Sequence, residues 1–342
     1  MFDTKKGWLV SASLMIVGAC AGGESLLESD DAAAAAQEQA PAAPAASKGG
    51  SGGASNTPIE YDDPDIKCYR FTAYQSPSDR GKYSVPTTPD LYVGFNIKAP
   101  WTGTQYVKSF RSIIDNKAVL HHWLIYRLLN GGAESILDNS TGIHADGELL
   151  NGWAPGTDDL WFDADVGMEI PGGTVFQLEN HYNNRTGAPV LDASGVELCV
   201  TPNRPKHIAA MSWLGTDRIN GVAASGTCTP ENKEPVHLLL SFPHMHTKGV
   251  HMKVDLTRAA GGVESIHDAD FNFDYQRTYV YDDLVIQPGD KVTTTCTFDG
   301  PARFGKGTSD EMCYFFSVHW PAGQLARNNI FSTFHGANVC ID

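Results

Sequence analysis

The sequence predicts an all-β protein built as sandwiches or jelly rolls. Three observations point there. Short runs rich in β-branched and aromatic residues alternate with polar ones at 91–97, 174–182, 236–242, 250–256 and 291–298. Turn signals separate such runs, among them Asn130-Gly131-Gly132, Ala154-Pro155-Gly156, Ile170-Pro171-Gly172-Gly173, Gln287-Pro288-Gly289-Asp290 and Phe298-Asp299-Gly300-Pro301. No long stretch keeps a 3.6-residue apolar period with helix caps. Many short strands punctuated by turns are the mark of sandwiches and jelly rolls.

The chain opens differently. Lys5 and Lys6 precede a short apolar run over 7–17, which ends in Gly18-Ala19-Cys20. A basic start, an apolar core and small residues describe a secretory signal. The run falls short of the ~20 residues a membrane-spanning helix needs. Val17-Gly18-Ala19-Cys20 resembles a bacterial lipobox, in which Cys20 is lipidated; an ordinary signal with an incidental Cys is the other reading. Residues 21–58 carry an Ala run at 32–36, Pro41, Pro44 and Gly49-Gly50-Ser51-Gly52-Gly53. That composition buries too little apolar area to fold and reads as a flexible tether.

The full length of 342 residues exceeds the ~250–300 at which single cores usually divide. Two Pro-Gly turns, at 169–174 and 285–290, lead into strands in corresponding fashion and suggest two similar halves. The expected organisation is a signal at 1–20, a tether at 21–58, a first domain at 59–205 and a second at 206–342. The boundary lies around Asn203-Arg204-Pro205-Lys206.

Charge and cysteine count narrow the function. With 25 Lys+Arg against 40 Asp+Glu the net charge is −15. A chain this acidic lacks the basic face that nucleic acid requires. The seven Cys become six once Cys20 is set aside: Cys68, Cys199, Cys228, Cys296, Cys313 and Cys340. In an exported chain an even set reads as disulfides, although spacing alone leaves the pairing open. No Cys-x-x-Cys supports a structural zinc.

The histidines carry the chemistry. His121 and His122 adjoin inside an apolar, strand-like run. Adjacent strand residues face opposite sides, so both rings reach one metal only at a bulge or strand end. One core His beside one surface His is the alternative. His244-Met245-His246 places two imidazoles on one strand face, after Phe242-Pro243 and before a Thr247-Lys248-Gly249 turn. Two solvated His on an edge strand would give the same pattern. Asp310-Glu311-Met312-Cys313 adds a thioether, a soft ligand suited to Cu(I), where core filler is the bland reading.

His121-His122, Asn180-His181-Tyr182, His244-x-His246 and the string Gly307-Thr308-Ser309-Asp310-Glu311-Met312-Cys313 occur in that order. The set resembles the copper type II, ascorbate-dependent monooxygenases, the family of peptidylglycine α-hydroxylating and dopamine β-monooxygenases. Val318-His319-Trp320-Pro321 looks like the dopamine-hydroxylating branch. The resemblance implies two tandem antiparallel jelly-roll domains, each with one copper. His121, His122 and His181 would hold the electron-supplying copper. His244, His246 and Met312 would hold the copper that activates O2. The implied activity is C–H hydroxylation of a small substrate with O2 and a reductant such as ascorbate. The implied disulfides are Cys68–Cys199, Cys228–Cys340 and Cys296–Cys313. Together with the leader, this places the protein outside the cytoplasm, secreted or held to a membrane through Cys20.

The pattern departs from the peptide-amidating enzymes at their substrate-carboxylate contacts. An Arg, an Asn and a Tyr are expected there; this chain has Phe242, Tyr314 and Phe316. An apolar, aromatic-lined substrate pocket follows if these face the cleft, and Arg303 is a candidate replacement cation. His207, His237, His251 and His267 lack ligand-like spacing, as do His144 and His335, and His319 sits at most behind a ligand. Asn139-Ser140-Thr141 and Asn184-Arg185-Thr186 read as turns rather than glycosylation sites. Two other classes compete. One is a non-catalytic copper-binding cell-surface module. The other is a zinc hydrolase with Glu179 or Glu311 as base, which a Met ligand disfavours.

Overall fold

Each of the five alternating runs is a strand: Leu91–Lys98, Val175–Tyr182, Val236–His244, Gly249–Thr257 and Lys291–Arg303. The computed structural model describes residues 52–138, 147–326 and 338–341. The signal segment with Cys20, most of the tether, the 139–141 sequon, His144 and His335 lie outside these residues. Among the described residues every regular element is a strand, so the chain is all-β as expected.

In the first half, a five-stranded sheet runs in the order Ser135–Asp138, Leu91–Lys98, Val175–Tyr182, Leu120–Leu128, Gly147–Trp153. Its inward residues Phe95, Ile125, Phe176 and Leu178 pack with Phe71, Phe110 and Leu198 from Lys67–Thr72, Gln105–Ile113 and Gly195–Thr201. Phe71 and Phe176 meet edge to face at 4.8 Å, joining the two layers.

In the second half, the strands His207–Thr216, Cys313–Trp320, Val236–His244 and Tyr279–Ile286 lie side by side. They cover a four-stranded sheet of Asn220–Cys228, Lys291–Arg303, Gly249–Thr257 and Val263–Asp270. Leu214, Leu238 and Phe315 meet Met252, Val254, Leu256 and Cys296 there.

The strand Cys313–Trp320 shows how the halves share one body. Cys313 and Phe315 point into the second core, whereas Tyr314, Phe316 and Val318 belong to the first. The two-residue period of a strand thus gives one face to each core. Val166–Ile170 also pairs parallel with His207–Thr216, with Val166 opposite His207, so one sheet continues across 203–206. All the described residues belong to one unit, 46–342.

The tether ends earlier than its composition suggests. Ala54–Ser55 pairs with Leu160–Phe162, and the amides of Gly52 and Gly53 donate to Asp165 and Asp163 at 2.8 and 2.9 Å. Trp320 donates from Nε1 to the Gly52 carbonyl at 2.6 Å. Its indole stacks between His207 and His237, each ring 3.8 Å away, which accounts for both histidines. Long-range backbone pairing overrides a Gly-rich local preference here.

The three disulfides are Cys68–Cys199, Cys228–Cys340 and Cys296–Cys313, as the resemblance implies. Their separations of 131, 112 and 17 residues correspond to about 3–5 kcal/mol each in the chain-entropy account. Asn184 is buried and donates to the carbonyls of Val85 and Ala188, while its Oδ1 accepts the Thr186 amide at 3.0 Å. That is an Asx turn with no room for a glycan.

Candidate metal centres and the cleft between them

His121 and His122 meet one neighbour because the strand bulges. On the facing strand His181 pairs with His122, and the next residue, Tyr182, pairs with Leu120. His121 is the extra residue, so both rings turn to the His181 side. Candidate ligand nitrogens of His121, His122 and His181 lie within 4.8 Å of one another. Nδ1 of His121 is 3.1 Å from Nδ1 of His122. Two imidazole nitrogens this close need a shared proton or a cation.

The electrostatics leave lone pairs for a cation. Burial pushes all three imidazoles below their ordinary pKa, His181 to about 4, so they are neutral near pH 7 with lone pairs available. His121 Nε2 and His181 Nδ1 are buried with no hydrogen-bond partner among the described residues. A buried polar nitrogen in that state is costly unless something binds it. His181 Nε2 meets Asp90 Oδ1 at 2.7 Å, which leaves Nδ1 facing the cluster. A carboxylate behind a ligating imidazole is the usual device for fixing its tautomer.

Asp90 was invisible in the sequence. It sits at φ 56°, a left-handed conformation that Asp tolerates better than most residues. The Tyr92 ring stacks on His181 at 4.1 Å.

The second set faces the first. The strand Val236–His244 ends at His244, and His246 follows just beyond it. Pro243 lies past the point where Tyr279 pairs with Ser241, so its missing N–H leaves no ladder gap on that side. The rings of His244 and His246 are 5.3 Å apart. Both line one pocket with Met312 and with His122 of the first set. His244 Nδ1 lies 3.2 Å from Gln276 Oε1, and His246 Nδ1 lies 3.1 Å from the Asp310 carbonyl. Each ring is thereby oriented with Nε2 left for a ligand. Burial lowers both pKa values, that of His244 to about 3. Two neutral imidazoles with a thioether suit Cu(I) better than Zn(II).

Glu311 is not a base beside an open metal. Its carboxylate is buried and accepts the backbone amides of His246 at 2.9 Å, Lys248 at 2.6 Å and Met312 at 3.3 Å. It ties the turn bearing His246 to the strand bearing Met312. Burial raises its pKa against those bonds.

The loop after Val263–Asp270 spans the cleft. Phe273 stacks on His121 at 4.6 Å and stands 6.3 Å from the His246 ring. Gln276 donates its amide to the Pro155 carbonyl at 2.7 Å and accepts the Thr157 hydroxyl at 3.2 Å. The Ala154-Pro155-Gly156 turn of the first half is therefore a docking point for the second. Sequence pattern gave no sign of Phe273 or Gln276, because neither lies in a periodic run.

The aromatic residues divide. Phe242 and Phe316 line the pocket, with Tyr126, Trp153 and Trp213. Tyr314 does not; it is fully buried and packs against Trp213 and Phe316 on the same face of its strand. Arg303 is exposed away from the pocket, and the cations at the pocket are Arg277 and Lys306. His251 lies between Asp268 and Asp270, each 2.9 Å away, and His267 and His319 are buried without joining either ligand set.

The all-β frame sets a trio of neutral imidazoles across one pocket from His244, His246 and Met312, two donor sets whose chemistry suits copper. Residues 217–332 match the family described as copper type II ascorbate-dependent monooxygenase, C-terminal domain. MOXD1 homolog 1 of Drosophila melanogaster is 24% identical over 273 residues, covering 66% of this chain and 39% of that protein. Tyramine beta-hydroxylase of Caenorhabditis briggsae is 25% identical over 202 residues, covering 52% and 34%. Dopamine beta-hydroxylase of Canis lupus familiaris is 22% identical over 244 residues, covering 61% and 39%. The chain spans less than half the length of these relatives. The match and these relatives support the copper type II ascorbate-dependent monooxygenase family for this chain. That family implies two copper ions and ascorbate as reductant, and the donor atoms described above fit copper.

Proposed function

We propose that the chain is a dicopper monooxygenase that hydroxylates a C–H bond of a small substrate, using O2 and a one-electron donor such as ascorbate. The observation that supports this most is the asymmetry of the two ligand sets across one cleft. His121, His122 and His181 offer three borderline nitrogen donors, able to serve both Cu(II) and Cu(I). His244, His246 and Met312 include a soft sulfur that favours Cu(I). Copper bound at the two sets would supply one electron from each and the activation of dioxygen.

The protein's own residues do the rest. Asp90 fixes the tautomer of His181, Gln276 and the Asp310 carbonyl orient His244 and His246, and Glu311 holds the second set together. Phe242 and Phe316 present an apolar wall beside Met312, which excludes water and receives the substrate body. Three disulfides fit an oxidising compartment. The Cys20 lipid anchor is part of this reading, and absence of palmitate labelling in cells would remove it.

The test is oxygen uptake with ascorbate and copper, alongside copper stoichiometry. About two coppers per chain and uptake that falls to background in Met312→Ala, with first-site copper retained, is the expected result. Copper binding without uptake under any substrate would instead favour a copper-binding module. Unchanged turnover in Met312→Ala would sink the assignment.

A further inference from the structure

Resting on the reading of His121, His122 and His181 as a copper set, we propose that Phe273 is the positioning residue of that set. Its ring, carried by the second half of the chain, seats His121 of the first half by the face and leaves the nitrogen-bearing edge to the metal.

His121 needs such a seat. As the extra residue of the bulge it has no partner on the strand Val175–Tyr182, where His181 pairs with His122 and Tyr182 with Leu120. A bulge residue left out of the ladder is held less firmly than its neighbours. Other imidazoles of the two sets are fixed by hydrogen bonds: His181 by Asp90, His244 by Gln276 and His246 by the Asp310 carbonyl. His121 has no such group behind it among the described residues. Its Nδ1 faces Nδ1 of His122 at 3.1 Å, and its Nε2 is buried without a partner. The Phe273 ring lies against it instead, with centroids 4.6 Å apart and planes 24° from parallel. Stacking of this kind orients a ring and uses none of its in-plane lone pairs.

The loop that carries Phe273 is tied at several points. The amide of Phe271 donates to the Val250 carbonyl at 2.9 Å. Asn272 accepts the Asp274 amide through Oδ1 at 2.8 Å, and Gln276 Nε2 donates to the carbonyl of Phe273 itself at 3.1 Å. Across the cleft the Gln276 amide is held by the Pro155 carbonyl. Tyr275 sits against Gly156, where a Cβ would come within 3.0 Å of its ring; Gly156 is also at φ 92°, so the docking turn needs glycine on both counts. One short loop thus touches a ligand of each set, His121 through Phe273 and His244 through Gln276. The first set is therefore complete only when the second half is docked on the first.

The test uses the full chain carrying His244→Ala and His246→Ala, so that copper loads the trio alone. Into this parent are placed Phe273→Leu, which keeps apolar bulk, and Phe273→Tyr, which keeps the ring. In copper-free protein the ring protons of His121, assigned by their loss in His121→Gln, should shift in the magnetic resonance spectrum when leucine removes the neighbouring ring current. Cu(II) affinity, measured by competition with a chelator, should fall about tenfold with leucine. The electron paramagnetic resonance spectrum of the bound Cu(II) should change in its parallel hyperfine splitting. Tyrosine should restore both. A general packing role would instead lower the unfolding midpoint and leave that spectrum as it was. A leucine variant with the parent's spectrum and affinity, or a tyrosine variant that behaves like leucine, would overturn the proposal. The two levels separate in the parent: no copper uptake there, with His121 protons that still shift on exchange to leucine, defeats the copper reading alone.

Discussion

Thr308 donates its hydroxyl to Asp90 Oδ1 at 2.6 Å, and the same oxygen meets His181 Nε2 at 2.7 Å. Thr308 lies four residues before Met312, in the second half; His181 belongs to the first. One carboxylate oxygen therefore connects the two ligand sets. Tyr92 reinforces the contact, its hydroxyl 3.3 Å from that of Thr308.

Asp90→Asn keeps the shape and removes the charge. First-site copper affinity should fall about 10–100-fold, the usual cost of losing a carboxylate behind a ligating His, with the second site changed much less. Competition titration against a chelator, site by site, checks this. Equal affinity at both sites before and after the change would refute the role of Asp90.

Glu311→Ala leaves three backbone amides without their acceptor in a buried place. The expected loss is about 3 kcal/mol or more of stability. Glu311→Gln, which keeps one acceptor oxygen, should fall between. Chemical unfolding with a constant slope measures both. A catalytic base would behave otherwise, with turnover lost and stability intact.

The stability of the copper-free protein should fall with acid. Burial holds His267 and His319 at pKa values of about 4 in the folded chain, against about 6.5 when unfolded. Between those values the unfolded chain binds protons that the folded chain refuses, so stability declines as pH drops from about 6.5 to about 4, then levels. Each such histidine contributes a slope of up to about 1.4 kcal/mol per pH unit. Thermal unfolding against pH should show it, and His319→Asn should flatten the slope whatever its effect on the absolute midpoint.

Removing the bridge beside the second site, with Cys296→Ala and Cys313→Ala together, should cost about 3 kcal/mol. Cys313 adjoins Met312, so Cu(I) affinity at the second set should weaken while the trio of imidazoles keeps its copper. X-ray absorption at the copper edge would show loss of the sulfur scatterer only.

Much of this was legible in the sequence, and the reason is periodicity. The runs at 91–97 and 236–242 became strands because alternation is a local signal; His246, expected on the same strand face as His244, instead lies past the strand end and is oriented through the Asp310 carbonyl. The requirement that His121 and His122 sit at an irregularity followed from strand geometry and is met by a bulge. What pattern could not show are contacts made by turns. Asp90, Phe273, Gln276, Arg277 and Lys306 reach the cleft from segments with no period, across long stretches of chain. Phe242 and Phe316 reach the pocket, but Tyr314, on the same face as Phe316, lies deeper against Trp213; depth along a face is not encoded in alternation. The Gly-rich stretch at 49–53 misled at its end, where Trp320, 268 residues away, captures Gly52.

The bulge at His121 also sets what the chain tolerates. Side chains along Leu120–Leu128 are apportioned to core or cleft by counting from that one extra residue. Substitutions can be absorbed one at a time, but a single-residue insertion or deletion just upstream would send His122 to the wrong side and turn Trp123 and Ile125 out of the core together. Variation in length at this strand is therefore all or nothing, and drift in this protein should proceed by exchange of residues there and by change of length only in its turns.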